Sequence, residues 1–260
     1  MAKLDGTIQF TGSLQNLSFY KMRGSDKIIV RKKGGPSRKQ VKHSPNFENT
    51  RQNNSEFGGR ALAAATIKSF LYPLLFLADY NIVGPLNALL CAIQKMDTES
   101  TRGKRHVLLT KQPRLLEGFY LNRRHLFETI VRTPVACSLH GEQVSIDLPA
   151  LIPGINFMPP GNYPYFRFIV TGGLVPDVYY TDYGYRPIYE RKPYSSYIQS
   201  DWLPVNTHSP ALTLTLNKMP ANKPADGSIM VALGIAFGKP QGNDIVPEKY
   251  VGAAKVLMVV

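Results

Sequence analysis

Cysteine is nearly absent: only Cys91 and Cys137 occur in 260 residues, and neither belongs to a Cys-x-x-Cys pair. That excludes a disulfide scaffold and a thiolate metal knuckle, leaving two buried free thiols as the expectation. The five histidines, His43, His106, His125, His140 and His208, lack ligand spacing, so no metal site is expected. Nor does the chain contain His-Glu-x-x-His, Gly-x-Ser-x-Gly or Gly-x-Gly-x-x-Gly. The nearest approach to a phosphate loop, Gly234 to Gly238-Lys239, is one residue short, and Pro240 stands where a magnesium-binding hydroxyl belongs. No catalytic residue and no cofactor are nominated, and the chain reads as a non-enzyme.

Long apolar runs are missing too. The most apolar stretch, residues 69–93, is interrupted by Pro73, Asp79, Asn81, Pro85 and Asn87, so buried helices are expected there and not a membrane span. The first residues show no apolar signal-peptide core, so synthesis in the cytoplasm without a secretion signal is expected. The final location stays open between a virion-like particle and an extracellular assembly.

Acidic residues are scarce as well, 18 against 31 Lys and Arg, for a net charge of +13. The imbalance is local. Residues 1–140 hold 22 basic and 9 acidic side chains, and residues 141–260 hold 9 of each. Within residues 1–51 the count is 11 against 3. Such asymmetry attracts a polyanion or an acidic protein face. Lys21, Arg23, Lys27, Arg31, Lys32, Lys33, Arg38, Lys39 and Lys42, with Phe19 and Tyr20 nearby, form the candidate polyanion-binding set, because Lys and Arg neutralise phosphates and aromatic rings stack on unpaired bases.

What is abundant is proline, glycine and period-two hydrophobicity. The pattern predicts a mainly β, α+β protein in three parts. Residues 1–54 read as a basic β-meander (7–33) followed by a polar linker from Ser37 to Asn54. Residues 55–105 read as a helical hairpin, with helices opening near Ser55 and Pro85. Residues 106–260 read as an immunoglobulin-like β-sandwich, with strands at Phe127–Arg132, Val144–Leu148, Tyr165–Thr171, Ala211–Asn217, Ile229–Phe237 and Ala254–Val260. An insertion at 176–204 carries Tyr179, Tyr180, Tyr183, Tyr185, Tyr189, Tyr194, Tyr197 and Trp202. Tyrosine offers contact area at low entropic cost, so these eight are the candidate interface residues.

Several segments carry a resemblance: Asn16–Lys21, Ile29–Gly35, Ser44–Arg51 through Glu56-Phe57-Gly58, Thr101–Arg105, Leu116–Phe119, and Val231–Phe237 with Ala253–Val260. Together they resemble a family of Bacteroidota hypothetical proteins with no assigned activity, over most of the chain, with the tyrosine-rich insertion as an elaboration. The resemblance implies no catalytic residues. The architecture is similar to that of structural proteins of phage-like or appendage-like particles. The expectation is therefore a subunit that self-assembles, as homo-oligomer or polymer, into a particle, tube or filament. The alternative is a basic nucleic-acid-binding protein.

Overall fold

The computed structural model describes residues 2–4 (backbone only), 10–22, 26–188, 195–217, 219 and 224–260. These fall into two compact units, residues 1–51 and 52–260. The architecture is mainly β with a helical hairpin region and several sheets, an α+β fold as the sequence predicts.

In the first unit, β1 (Ala2–Leu4), β2 (Gly12–Leu14), β3 (Leu17–Lys21) and β4 (Ile28–Lys32) form an antiparallel sheet of order β1-β4-β3-β2. Gln15, at φ 46°, and Asn16 make the two-residue turn between β2 and β3, a geometry that matches strand twist. After Pro36, α1 (Arg38–His43) starts with a capping box in which the Ser37 hydroxyl and the Gln40 amide satisfy each other's backbone N–H. Arg51 closes the unit by donating from Nη1 to the carbonyls of Val41, at 2.9 Å, and Ser44, at 2.8 Å. Its described core is small: only Phe19, Ile28 and Ile29 are buried.

Helix α2 spans Glu48–Phe70, so the expected linker to Asn54 is wrong: it holds α1 and the opening turns of α2. Ser55 is not an N-cap. Its hydroxyl donates instead to the Gly103 carbonyl at 2.7 Å. The helix reads as linker in sequence because its first turns have no apolar stripe and are held by polar contacts made elsewhere in the fold. A 3-10 segment, Tyr72–Leu77, follows Leu71 and leads to α3 (Val83–Lys95). A further correction concerns Phe127–Arg132, predicted as a strand. Residues Phe127–Ile130 form the single turn α4, whose i,i+3 spacing buries both Phe127 and Ile130.

The remaining strands build the sheets of the second unit. They are β5 (Ala136–His140), β6 (Gln143–Leu148), β7 (Tyr165–Pro176), β8 (Val178–Thr181), β9 (Gly184–Pro187), β10 (Ser195–Gln199), β11 (Leu203–Pro204), β12 (Leu212–Leu216), β13 (Gly227–Gln241) and β14 (Asp244–Val259). The main sheet runs β10-β7-β13-β14, with β11 also on β7, and the smaller one runs β12-β6-β5. The main sheet is covered twice. On one face Phe166, Phe168, Val170, Ile229, Val231, Leu233, Ile235 and Phe237 pack on Val144, Ile146, Leu148, Leu214 and Leu216 of the smaller sheet. On the other, Ile169, Met230, Ala232, Ala236, Ala254 and Val256 meet Ile67, Leu71, Leu74, Leu77, Leu86 and Leu90 of the helical layer. Thus β13 alternates bulky residues toward the sheet partner with residues that, Met230 apart, are small toward the helices, and its first twelve residues are all buried. At Gly234 β13 lies close against the helical layer, since a Cβ there would lie 2.6 Å from Leu74 Cδ2.

Candidate interaction surfaces

Within the second unit, the start of α2 meets residues 101–105, and the polar groups there face inward. In α2, Glu56 is buried and its Oε1 accepts from the Gly103 N–H at 2.8 Å, with the Arg105 guanidinium 3.8 Å away. Arg102 donates to Asn53 Oδ1 at 3.0 Å. Gly103 adopts φ +92° against Gln52, a left-handed conformation that side chains disfavour. Gln94 from α3 accepts from Arg60 at 2.7 Å and donates to the Arg105 carbonyl at 2.8 Å. Another pair of segments meets at the sheet edge. Gly118 N–H donates to Val256, Leu121 N–H to Ala254 and Val256 N–H to Phe119, covering that part of β14, while Glu117 accepts from Val259 N–H at 3.0 Å. These residues are a framework: their donors and acceptors satisfy one another and present no reactive group.

The basic set is exposed but not gathered. Lys21, Lys27, Arg31, Lys32, Lys33, Arg38, Lys39 and Lys42 are all at the surface, and Arg23 lies outside the described residues. Register separates them. Lys21, opposite Ile28, and Lys32, opposite Leu17, share the face of Phe19 and Val30 but stand at opposite ends of the β3–β4 pair. Arg31 is on the other face, its guanidinium 5.3 Å from the Tyr20 ring centre. Arg38, Lys39 and Lys42 ride on α1. Lys21 is ion-paired at 3.0 Å to Asp26, whose carboxylate is fully in solvent. The face bearing Lys21 and Lys32 also exposes Leu14 and Leu17 at its end, beside the turn.

The tyrosine-rich segment divides between core and surface. Tyr185 lies against α2, where a Cβ on Gly59 would come 2.5 Å from its ring. Its hydroxyl donates to the Arg105 carbonyl at 2.9 Å, and burial pushes its pKa upward. Tyr180 packs edge-on against Tyr185, with ring centres 5.1 Å apart. Tyr179 donates to Asp226 at 2.7 Å and meets the His106 ring. Tyr183 and Tyr197 remain 85 % and 57 % exposed. Trp202 lies under the Arg167 guanidinium, 4.5 Å from ring to Cζ. Tyr189 and Tyr194 lie outside the described residues.

Two features were missed in the sequence. The first is an arm. Among the described residues, the pairing of β13 with β7 stops at Gly238, whereas β13 continues with β14 alone through Lys239↔Val246, Pro240↔Ile245 and Gln241↔Asp244. This two-stranded extension exposes Val246 and Tyr250, and Tyr250 sits at φ 66° in the bulge at the arm's root. The pattern of alternating apolar residues gives no hint of where a strand leaves its sheet. The second is Arg167, on β7 at the base of the arm. Its Nε is enclosed without an acceptor, and desolvation pulls its pKa down.

Other polar groups are isolated. Asp177 is buried, accepts from Thr110 N–H and hydroxyl, and is pushed above the usual carboxylate range chiefly by burial, with the Asp226 charge adding to the push. Tyr120, Glu128 and Lys255 form a hydrogen-bonded row in which burial and the Glu128 carboxylate lift the Tyr120 pKa to about 12. Beside it an open groove of about 640 Å³ is lined by Tyr80, Leu89, Phe119, Tyr120, Arg123 and Leu126, among others. Cys91 and Cys137 are free thiols, the latter raised to about 11 by burial, which makes a thiolate nucleophile unfavourable. Among the described residues, no group of three or more His, Cys, Asp or Glu is arranged to hold a metal ion, and no helix is long and apolar enough to cross a membrane. No protein-family model, no curated protein and no solved structure matches the chain.

Proposed function

We propose that the protein is a non-enzymatic structural subunit that self-assembles into a particle, tube or filament. The observation that carries this reading is the arm at 239–250. A two-stranded hairpin without a third strand is marginal in water, and this one holds Val246 and Tyr250 in solvent. A partner that covers the arm removes both costs. The small core of residues 1–51 and the exposed Leu14 and Leu17 add a second surface that gains from a partner. The inward-facing polar framework supports the non-catalytic part of the reading. Sedimentation velocity on the purified chain from low to high micromolar concentration is the test. Large, salt-stable species are expected, and replacing Val246 and Tyr250 together with Ser should reduce them to a folded monomer.

A second reading, nucleic-acid binding through residues 1–51, is favoured by the eight exposed Lys and Arg side chains of the candidate set. It separates from the first by salt response, because each lost phosphate contact changes the log–log salt slope by roughly 0.7–0.9. Arg31→Gln, Lys32→Gln and Lys33→Gln together should flatten that slope. Unchanged retention on nucleic acid at low salt would make these residues a solvated face only.

A further inference from the structure

An arginine taken partly out of water should have an anion beside it, and among the described residues Arg167 has none. No hydrogen bond or ion pair joins its guanidinium to another described residue, although its Nε is enclosed. Leaving a buried donor unsatisfied carries a desolvation penalty of about 1–3 kcal/mol, more for a charged group. The surroundings are built and not incidental. Trp202 stacks on the guanidinium, and the ring is seated where Gly238 has no side chain: a Cβ there would fall 2.7 Å from Trp202 Cη2 and 2.9 Å from Ile245 Cγ2. Arg167 pairs with Ala236, and Tyr197 with Thr171, so both project from the face that carries the helical layer, and Tyr197 is mostly exposed. An arginine with a Trp face behind it favours a planar anion, above all a carboxylate, held through the two remaining nitrogens.

The arm that rises from this spot carries such groups. Asp244 at its tip and Glu248 near its root are exposed, and neither forms an ion pair with another described residue. The arm extends about three residues beyond Gly238, roughly 10 Å at 3.4 Å per residue. Two copies related by a two-fold axis across their arms bring each tip toward the root of the other. We infer that Arg167 and Trp202 form a receptor for the carboxylates of a second copy's arm, so that the arms are exchanged reciprocally. This rests on the self-assembly reading and specifies its contact.

The test uses charge reversal in the full-length chain. Arg167→Glu, and separately the pair Asp244→Lys with Glu248→Lys, should each lower the self-association constant at least tenfold. Mixing the two variants should restore association as a mixed species, because opposite charges then face each other across the interface. Arg167→Met serves as a control for folding: it removes an unsatisfied donor, so thermal stability should hold while association falls. Association of Arg167→Met equal to wild type overturns the receptor while leaving self-assembly standing. Failure of the mixture to associate overturns the choice of arm carboxylates as occupants. A wild-type chain that stays monomeric overturns self-assembly itself.

Discussion

At the scale of single residues, two glycines on the main sheet set how closely its layers approach. Gly252 has φ +110°, and a Cβ there would stand 2.1 Å from the Ile235 carbonyl oxygen, a backbone atom that has nowhere to go. Gly234 would press chiefly on the ends of Leu74 and Leu77, at 2.6 and 2.9 Å, which are flexible side-chain atoms, with the Ala253 carbonyl oxygen at 3.4 Å. Gly252→Ala should therefore destabilise more than Gly234→Ala, with the latter costing about 1–3 kcal/mol as overpacking. Urea unfolding of both variants checks the order, and equal midpoints would contradict it. Asp177 gives a pH-dependent counterpart. Its folded-state pKa is raised, so its protonated form contributes stability that is complete below the unfolded value of 3.8 and is lost as pH rises through the folded value. Asp177→Asn keeps an acceptor for Thr110 N–H and a donor for its hydroxyl. The variant should gain stability relative to wild type between pH 4 and pH 7, and a difference that is flat or reversed in urea midpoints would contradict this.

At the scale of elements, the tyrosine-rich hairpin and the last strand make opposite demands. Within the hairpin, Tyr185→Ser removes a ring from the α2 contact and two hydroxyl acceptors' partner, and should cost several kcal/mol, in the range of large-to-small core changes. Tyr183→Ser should stay within about 0.5 kcal/mol, since the side chain is almost wholly in solvent. Circular dichroism melts of the two single variants separate core from surface. For β14, the structure pairs Val256–Val259 with β13 of the same chain and buries Val256 and Val259. At roughly 1.5–3 kcal/mol per buried aliphatic side chain, deleting residues 256–260 removes an amount comparable to a whole domain's net stability. The truncated chain should fail to fold, and a soluble, folded product would contradict the register.

Those elements also show what a sequence can disclose. Leu212–Leu216 was legible because one face was apolar and strand period is two, and Ile229–Phe237 because it is a short, continuous apolar run. The first turns of α2 were not, because Asn49–Asn54 carries no apolar face, and Phe127–Ile130 misled because two apolar residues three apart fit either period. Tyrosine density marked the hairpin but could not tell Tyr185, locked to Arg105, from Tyr183, which is mostly in water. Arg167 gave no signal at all, since its lack of a partner exists only once β7, β11 and the arm are folded around it.

At the scale of the whole molecule, the large cores and the exposed apolar surface lie in different regions. The second unit has two large cores, one on each face of the main sheet, and is held by contacts that satisfy nearly all its buried polar groups. Unpartnered surface is found instead on the arm and on the sheet of residues 1–51, which also carries the charge excess. Electrostatic repulsion between the basic surfaces of like subunits should make association weaker at low ionic strength and stronger as salt screens it, on a Debye length of about 8 Å at 0.15 M. Nucleic-acid retention would move in the other direction. The most direct measurement of the central claim is sedimentation velocity of the wild-type chain across a concentration and salt series, with the Val246→Ser, Tyr250→Ser variant run alongside. The expected result is a concentration-dependent large species that survives high salt in the wild type and is lost in the variant. A wild-type chain that sediments as a monomer at every concentration and salt would contradict the account.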